Sequence, residues 1–226
     1  MSKYRLNLDK LRRIVLIALF GAISYVVMLL VHIPVQFLTM DVKDVIITLA
    51  GLYFGPLAAL SLSVLVPLLE MVTVSSTWLY GFLMNFLGTA ALSVTASVIY
   101  KYKTSLWGAI LGLVSGAGVM VAVMMLFNLL VTPYYMGVTV EAVQGLIPVL
   151  LFPFNLFKGL LNVGLVLMLY KPLSLVMQRA GILPRSEHPL RMDLRSLLIF
   201  AAALLLTVGS LIVIFVVLGG QITWGI

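Results

Sequence analysis

The chain has 226 residues, 63% of them hydrophobic and 9% charged, with a mean hydropathy of +1.21. Soluble domains carry about 25% charged residues, so this composition marks an integral membrane protein with no room for a folded aqueous domain; ATP hydrolysis would have to come from another chain. The net charge of +7 lies in tails and short connections, the topology signal of a lipid-embedded chain rather than a nucleic-acid surface, and the absence of cysteine excludes disulfides, a thiolate nucleophile and a Cys metal site.

Seven apolar segments follow in chain order. A basic tail (Lys3, Arg5, Lys10, Arg12, Arg13) precedes the first, residues 14–33. That segment is about 20 residues long and lacks a small-residue cleavage pattern, so it reads as a retained helix rather than a signal. Gly55-Pro56 divides the next stretch into a short span, 44–54, and an ordinary one, 56–74, because proline suits the first turn of a new helix; a single bent helix is the competing reading. Further spans are expected at 78–100, 106–131 and 147–170, making one membrane domain over 1–178. A basic connector, 179–195, leads to an additional span at 196–218. No internal repeat is visible, which argues against an inverted-repeat transporter.

Orientation follows from Lys and Arg beside the spans. With the N-terminus in the cytoplasm, that side holds the five tail charges, Lys101, Lys103, Lys171, Arg179, Arg185, Arg191 and Arg195, against Lys43 alone outside. The C-terminus then lies outside. Trp78, Tyr134, Tyr135 and Trp224 fall near the outer interface, and Tyr100, Tyr102 and Trp107 near the inner one, as aromatic belts do. The loops 32–43 and 132–146 face outside.

Lys158, within Pro153-Phe154-Asn155-Leu156-Phe157-Lys158-Gly159, is the sharpest signal. A lysine deep in a span costs about 2.5–3.5 kcal/mol on insertion scales and therefore faces the protein interior, serving a ligand or partner. Asn155 stands three residues earlier on the same helical face. Together they offer the donors and acceptor that a polar heteroaromatic ring or an anion needs; a structural Lys158 paired with Glu70 is the other reading. Asn128 precedes a Pro133-Tyr134 turn and is either ligand contact or helix–helix glue. Asn85 is a further candidate, and Asn162 is expected as glue.

Glu70 is the only acid expected well inside a span, and a proton relay would require a second. Asp44 is expected to cap the second helix, with Asp41 and Lys43 as its loop neighbours and possible pocket lining. His32 reads as a solvated interface residue. Ala18 and Ala22, with Ser24, form a stripe of small residues that permits close helix approach, inside the bundle or against another subunit. Gly108, Gly112, Gly116 and Gly118 suit internal packing. No catalytic triad, phosphate loop or metal cluster is present in the sequence, and no cofactor is implied.

These residues resemble a known family. Asn128 with Pro133-Tyr134, the Pro153-to-Gly159 element, the Asp44 and Gly55-Pro56 region and the Asn85-Phe86-Leu87 neighbourhood are similar to the substrate-binding S component of an energy-coupling-factor (ECF) vitamin transporter, most of all the riboflavin-binding type, over about residues 10–178. The resemblance implies an all-α six-helix bundle, here with an extra C-terminal helix, and a non-enzymatic role capturing riboflavin from outside. It implies ligand contacts at Asn128, Asn155 and Lys158, partnership with a transmembrane coupling subunit and two cytoplasmic ATPases, and docking through Ala18 and Ala22. The chain departs from the family pattern in Asp41-Val42-Lys43-Asp44-Val45-Ile46, which has an added charge and no proline, in Pro67 and Glu70 of the third span, and in the seventh span. A different vitamin (folate, pantothenate or a pyridoxine relative), a secondary transporter and an intramembrane enzyme are the alternatives.

Overall fold

The computed structural model describes residues 2–182 and 194–221. Arg185, Arg191 and Trp224 lie outside them, as do the side chains of Lys3, Arg5 and Arg195. In chain order the protein forms α1 (Ser2–Leu30), a hairpin of β1 (His32–Val35) and β2 (Leu38–Asp41), α2 (Lys43–Phe54), α3 (Pro56–Thr73), α4 (Trp78–Tyr102), α5 (Leu106–Met136), α6 (Val140–Leu146), α7 (Phe152–Arg179) and α8 (Leu194–Ile212). A π-helical turn at Ile147–Leu151 joins α6 to α7, and another at Val213–Val217 extends α8. Six of these units are long and apolar enough to cross a membrane: α1, α3, α4, α5, the continuous α6–α7 rod and α8. The seventh, α2, has 12 residues and spans about 18 Å, short of the roughly 30 Å hydrocarbon layer.

Local chemistry explains the boundaries. Gly55, at φ 94, ends α2 in a conformation that a Cβ disfavours, and Pro56 starts α3, so the pair of helices forms rather than one bent helix. Arg13 of α1 donates to the Phe54 carbonyl at that break, covering an acceptor that α2 leaves open. Ser105 caps α5 by accepting from the Gly108 amide at 3.1 Å, and Gly137, left-handed at φ 65, closes its other end. Thr139 caps α6 in the same way.

Several expected boundaries shift. The first span gives way at residue 31 to the hairpin, which pairs His32 with Asp41 and Val35 with Leu38 around a Gln36-Phe37 turn. Helix α5 continues past Pro133 to Met136, and the expected outer loop 132–146 is mostly helical. Helix α7 runs to Arg179, beyond the expected end at residue 170, and the last span is helical over 194–217.

Helix α2 sits at the centre: ten of its twelve residues are buried, which leaves no polar face for water or lipid. Around it pack Phe20 of α1, Leu62 and Val66 of α3, Leu92 and Ala96 of α4, Leu113 and Met120 of α5, and Val163 and Val166 of α7. The α4–α5 contact depends on glycine. A Cβ on Gly112 would lie 2.7 Å from the Ala96 carbonyl oxygen, and one on Gly116 would press on that of Leu92. Gly118 meets nothing within 4 Å, so it has no share in this packing. A second apolar cluster joins the hairpin to α7 and the end of α8.

Candidate functional site

The helices and the hairpin enclose a cavity of about 520 Å³, within the roughly 300–1,000 Å³ typical of small-molecule sites. The hairpin closes one side with His32, Pro34, Phe37 and Thr39. Tyr80, Met84 and Asn85 of α4 line it, as do Met124, Asn128 and Tyr135 of α5. Phe154, Asn155 and Lys158 come from α7, and Glu70 from α3. Aromatic and thioether side chains thus supply an apolar lining, and Glu70, Asn85 and Lys158 gather at one end.

That end rests on a buried ionic network. Lys43, with no exposed surface, donates from Nζ to Asp41 Oδ2 at 3.0 Å and to Glu70 Oε2 at 2.7 Å. Asn85 Nδ2 donates to Glu70 Oε1 at 3.1 Å. Lys158 Nζ stands 3.5 Å from Asp41 Oδ2 and 3.6 Å from Asp44 Oδ2. Thr89 donates to Asp44 Oδ1 at 2.5 Å, and Ser24 donates to the Lys43 carbonyl. Burial alone would raise the Asp41 carboxyl, but the Lys158 and Lys43 charges and the Lys43 hydrogen bonds hold it down at about 2. The network ties α1, β2, α2, α3, α4 and α7 together directly under the cavity.

The asparagines are oriented by their own helices. Asn155 Nδ2 donates to the Leu151 carbonyl at 2.8 Å and Asn128 Nδ2 to that of Met124 at 2.7 Å. Asn155 therefore offers the cavity its carbonyl oxygen, an acceptor, beside the Lys158 ammonium, a donor whose carboxylate contacts are long. The Asn128 carbonyl accepts from Thr132 at 2.9 Å. The cavity wall at α7 presents an acceptor and a donor one helical turn apart, the pattern that reads the edge of a polar ring.

Of the residues singled out in the sequence, Asn128, Asn155, Lys158, Asn85 and Glu70 line the cavity, while Asp41 and Lys43 lie buried beneath it. Glu70 pairs with Lys43 rather than Lys158, since the start of α2 delivers the nearer lysine. Asp44 does not cap α2: the cap position is Val42, and Asp44 turns inward to Thr89 and Lys158. Glu70 is half-buried in α3, and the fully buried acids are Asp41 and Asp44, at the hairpin end of α2 and outside the six long spans. Asn162 bonds back to the Lys158 carbonyl instead of bridging helices. Tyr100, near the end of α4, pairs its hydroxyl with that of Tyr170. His32 lines the cavity. Ser24 faces inward, whereas Ala18 and Ala22 are exposed on the outer face of α1, away from the cavity. The sequence reading missed Tyr80, Thr89 and the hairpin residues. Ile33 and Val35 at a spacing of two were the available signal, but Pro34 between them weakens a strand reading and Gln36-Phe37 is not a recognisable hairpin turn.

Comparison with known proteins agrees with this architecture. The family model described as "ECF transporter, substrate-specific component" matches residues 12–170. The riboflavin transporter RibU of Staphylococcus aureus (strain TCH60) is 30% identical, over 79% of this chain and 98% of its own. A solved structure described as "Structure and mechanism of the S component of a bacterial ECF transporter" superposes with a TM-score of 0.65 at 31% identity, covering 75% of this chain and 99% of the other.

Proposed function

The chain belongs to the ECF transporter substrate-specific components, a family of transporter subunits and not of enzymes, and from that premise we propose that it captures riboflavin, or a related flavin, in the cavity under the hairpin. The observation that carries this reading is the Asn155–Lys158 wall of the cavity in a chain 30% identical to a riboflavin transporter. Riboflavin presents a flat tricyclic ring ending in an imide, with an N–H between two carbonyls, and a hydroxylated side chain. The Asn155 carbonyl accepts from the imide N–H, and Lys158 donates to a neighbouring carbonyl oxygen. Phe37, Tyr80 and Phe154 cover the ring, and Asn128 and Asn85 serve the remaining polar atoms.

The charge bias of the connections supports a cytoplasmic N-terminus, which turns the hairpin, the cavity and the end of α8 to the outside. Capture then needs no ATP. Release into the cell requires a transmembrane coupling subunit and two cytoplasmic ATPases, with Ala18 and Ala22 on the exposed face of α1 as the docking surface. Purified protein titrated with riboflavin should quench flavin fluorescence in a saturable one-to-one manner. Protection against heat by folate, pantothenate or pyridoxine but not by riboflavin would contradict the ligand assignment.

A further inference from the structure

The matched family segment ends at residue 170, so α8 and its tail stand outside it. Their contacts converge on the hairpin. Along β1 the side chains alternate: His32 and Pro34 line the cavity, while Ile33 and Val35 are buried in a cluster with Met40 and with Ile214 and Leu218 from the end of α8. After the π-helical turn, Gly219 at φ 69 reverses the chain, a conformation suited to glycine. Gly220 then passes so near β1 that a Cβ there would lie 3.2 Å from Ile33 Cγ2, and the Gln221 amide donates to the Pro34 carbonyl at 3.2 Å. The other part of α8 is anchored on α7 at Gly164, where a Cβ would press on Thr207 and lie 2.9 Å from the Ala203 carbonyl oxygen.

We propose that α8 and its Gly219–Gln221 tail brace the hairpin from behind, and that this brace sets how fast a captured ligand leaves the cavity. Opening the hairpin away from the cavity must separate Ile33, Val35 and Met40 from Ile214 and Leu218 and break the Gln221 bond. A loosened brace lowers the barrier to opening without altering any cavity-lining side chain. The dissociation-rate part rests on the cavity being the vitamin site; the bracing of the hairpin does not.

The experiment compares the full chain with Ile214→Ala/Leu218→Ala and, separately, Gly164→Leu, which displaces α8 from α7. Leu205→Ala, on the 73%-exposed side of α8, is the control. Hydrogen exchange of the hairpin, read in ligand-free protein, should speed up by about tenfold or more in both brace variants, while the α4–α5 seam keeps wild-type protection. Riboflavin dissociation, followed by recovery of fluorescence, should accelerate by a similar factor. Leu205→Ala should match wild type in both. Unchanged hairpin exchange in the two variants would overturn the brace. Faster exchange with an unchanged dissociation rate would overturn its control of release. If wild-type protein binds no riboflavin, the ligand reading fails, and the exchange measurement still decides whether the hairpin is braced.

Discussion

The hairpin end of α2 and the α4–α5 seam beside it are both tightly packed, yet by opposite means. At the hairpin end, Asp41, Lys43, Asp44, Glu70 and Lys158 are gathered into one network and paired with one another at 2.7–3.6 Å. At the seam, Gly112 and Gly116 remove side chains so that α5 rests on the backbone of Ala96 and Leu92. Lipid supplies no hydrophobic force between helices, so close approach at small residues suffices to hold a seam. Burying four ionisable groups and half-burying a fifth is costly and gives little net stability. On the proposed function, charge placed at such a cost belongs to the end that handles the ligand, and the seam to the scaffold.

The comparison is broken most severely at Lys43. Lys43→Met leaves Asp41 and Glu70 without their shared cation, and should lower stability by about 3–5 kcal/mol in thermal or denaturant unfolding. A silent substitution would mean that the network is not the structural base of the cavity. At the seam, Gly116→Val should cost roughly 1–3 kcal/mol through overpacking against the Leu92 carbonyl. Gly118→Val, with open space around it, should change unfolding little, and equal effects from the two would show that the seam is not close-packed. Ala18→Trp with Ala22→Trp touches neither region. Unfolding and vitamin binding should stay at wild-type levels, while uptake in cells that contain the coupling subunit and ATPases should fall to background. Normal uptake would remove this face as the docking surface, and lost binding would place the stripe inside the bundle.

Much of the scaffold was legible because its signals are local. Gly55-Pro56 forecast the α2–α3 break, and Asn155 and Lys158, three residues apart in an apolar run, forecast their common cavity wall. The pairing of charges was not legible. Lys43 meets Glu70 only because the start of α2 and the far end of α3 are brought together by the fold, and nothing within the Asp41-to-Asp44 sequence distinguishes an inward Asp44 from a helix cap. The hairpin escaped because its turn, Gln36-Phe37, has none of the glycine or asparagine chemistry that announces one. Pro133 suggested a turn, but it lies within α5, whose neighbours hold it in place.

The most direct measurement is a riboflavin titration of Lys158→Met beside Lys171→Met. Lys158 sits on the cavity wall next to Asn155, whereas Lys171 lies about three and a half helical turns further along α7 and donates to Ser196 at 2.8 Å. Loss of a charged donor to the ligand is worth about 1.5–3 kcal/mol, or roughly ten- to a hundredfold in affinity. The account predicts that loss for Lys158→Met and wild-type affinity for Lys171→Met. Equal affinities for the two variants, both still folded, would contradict the assignment of this cavity wall as the vitamin site.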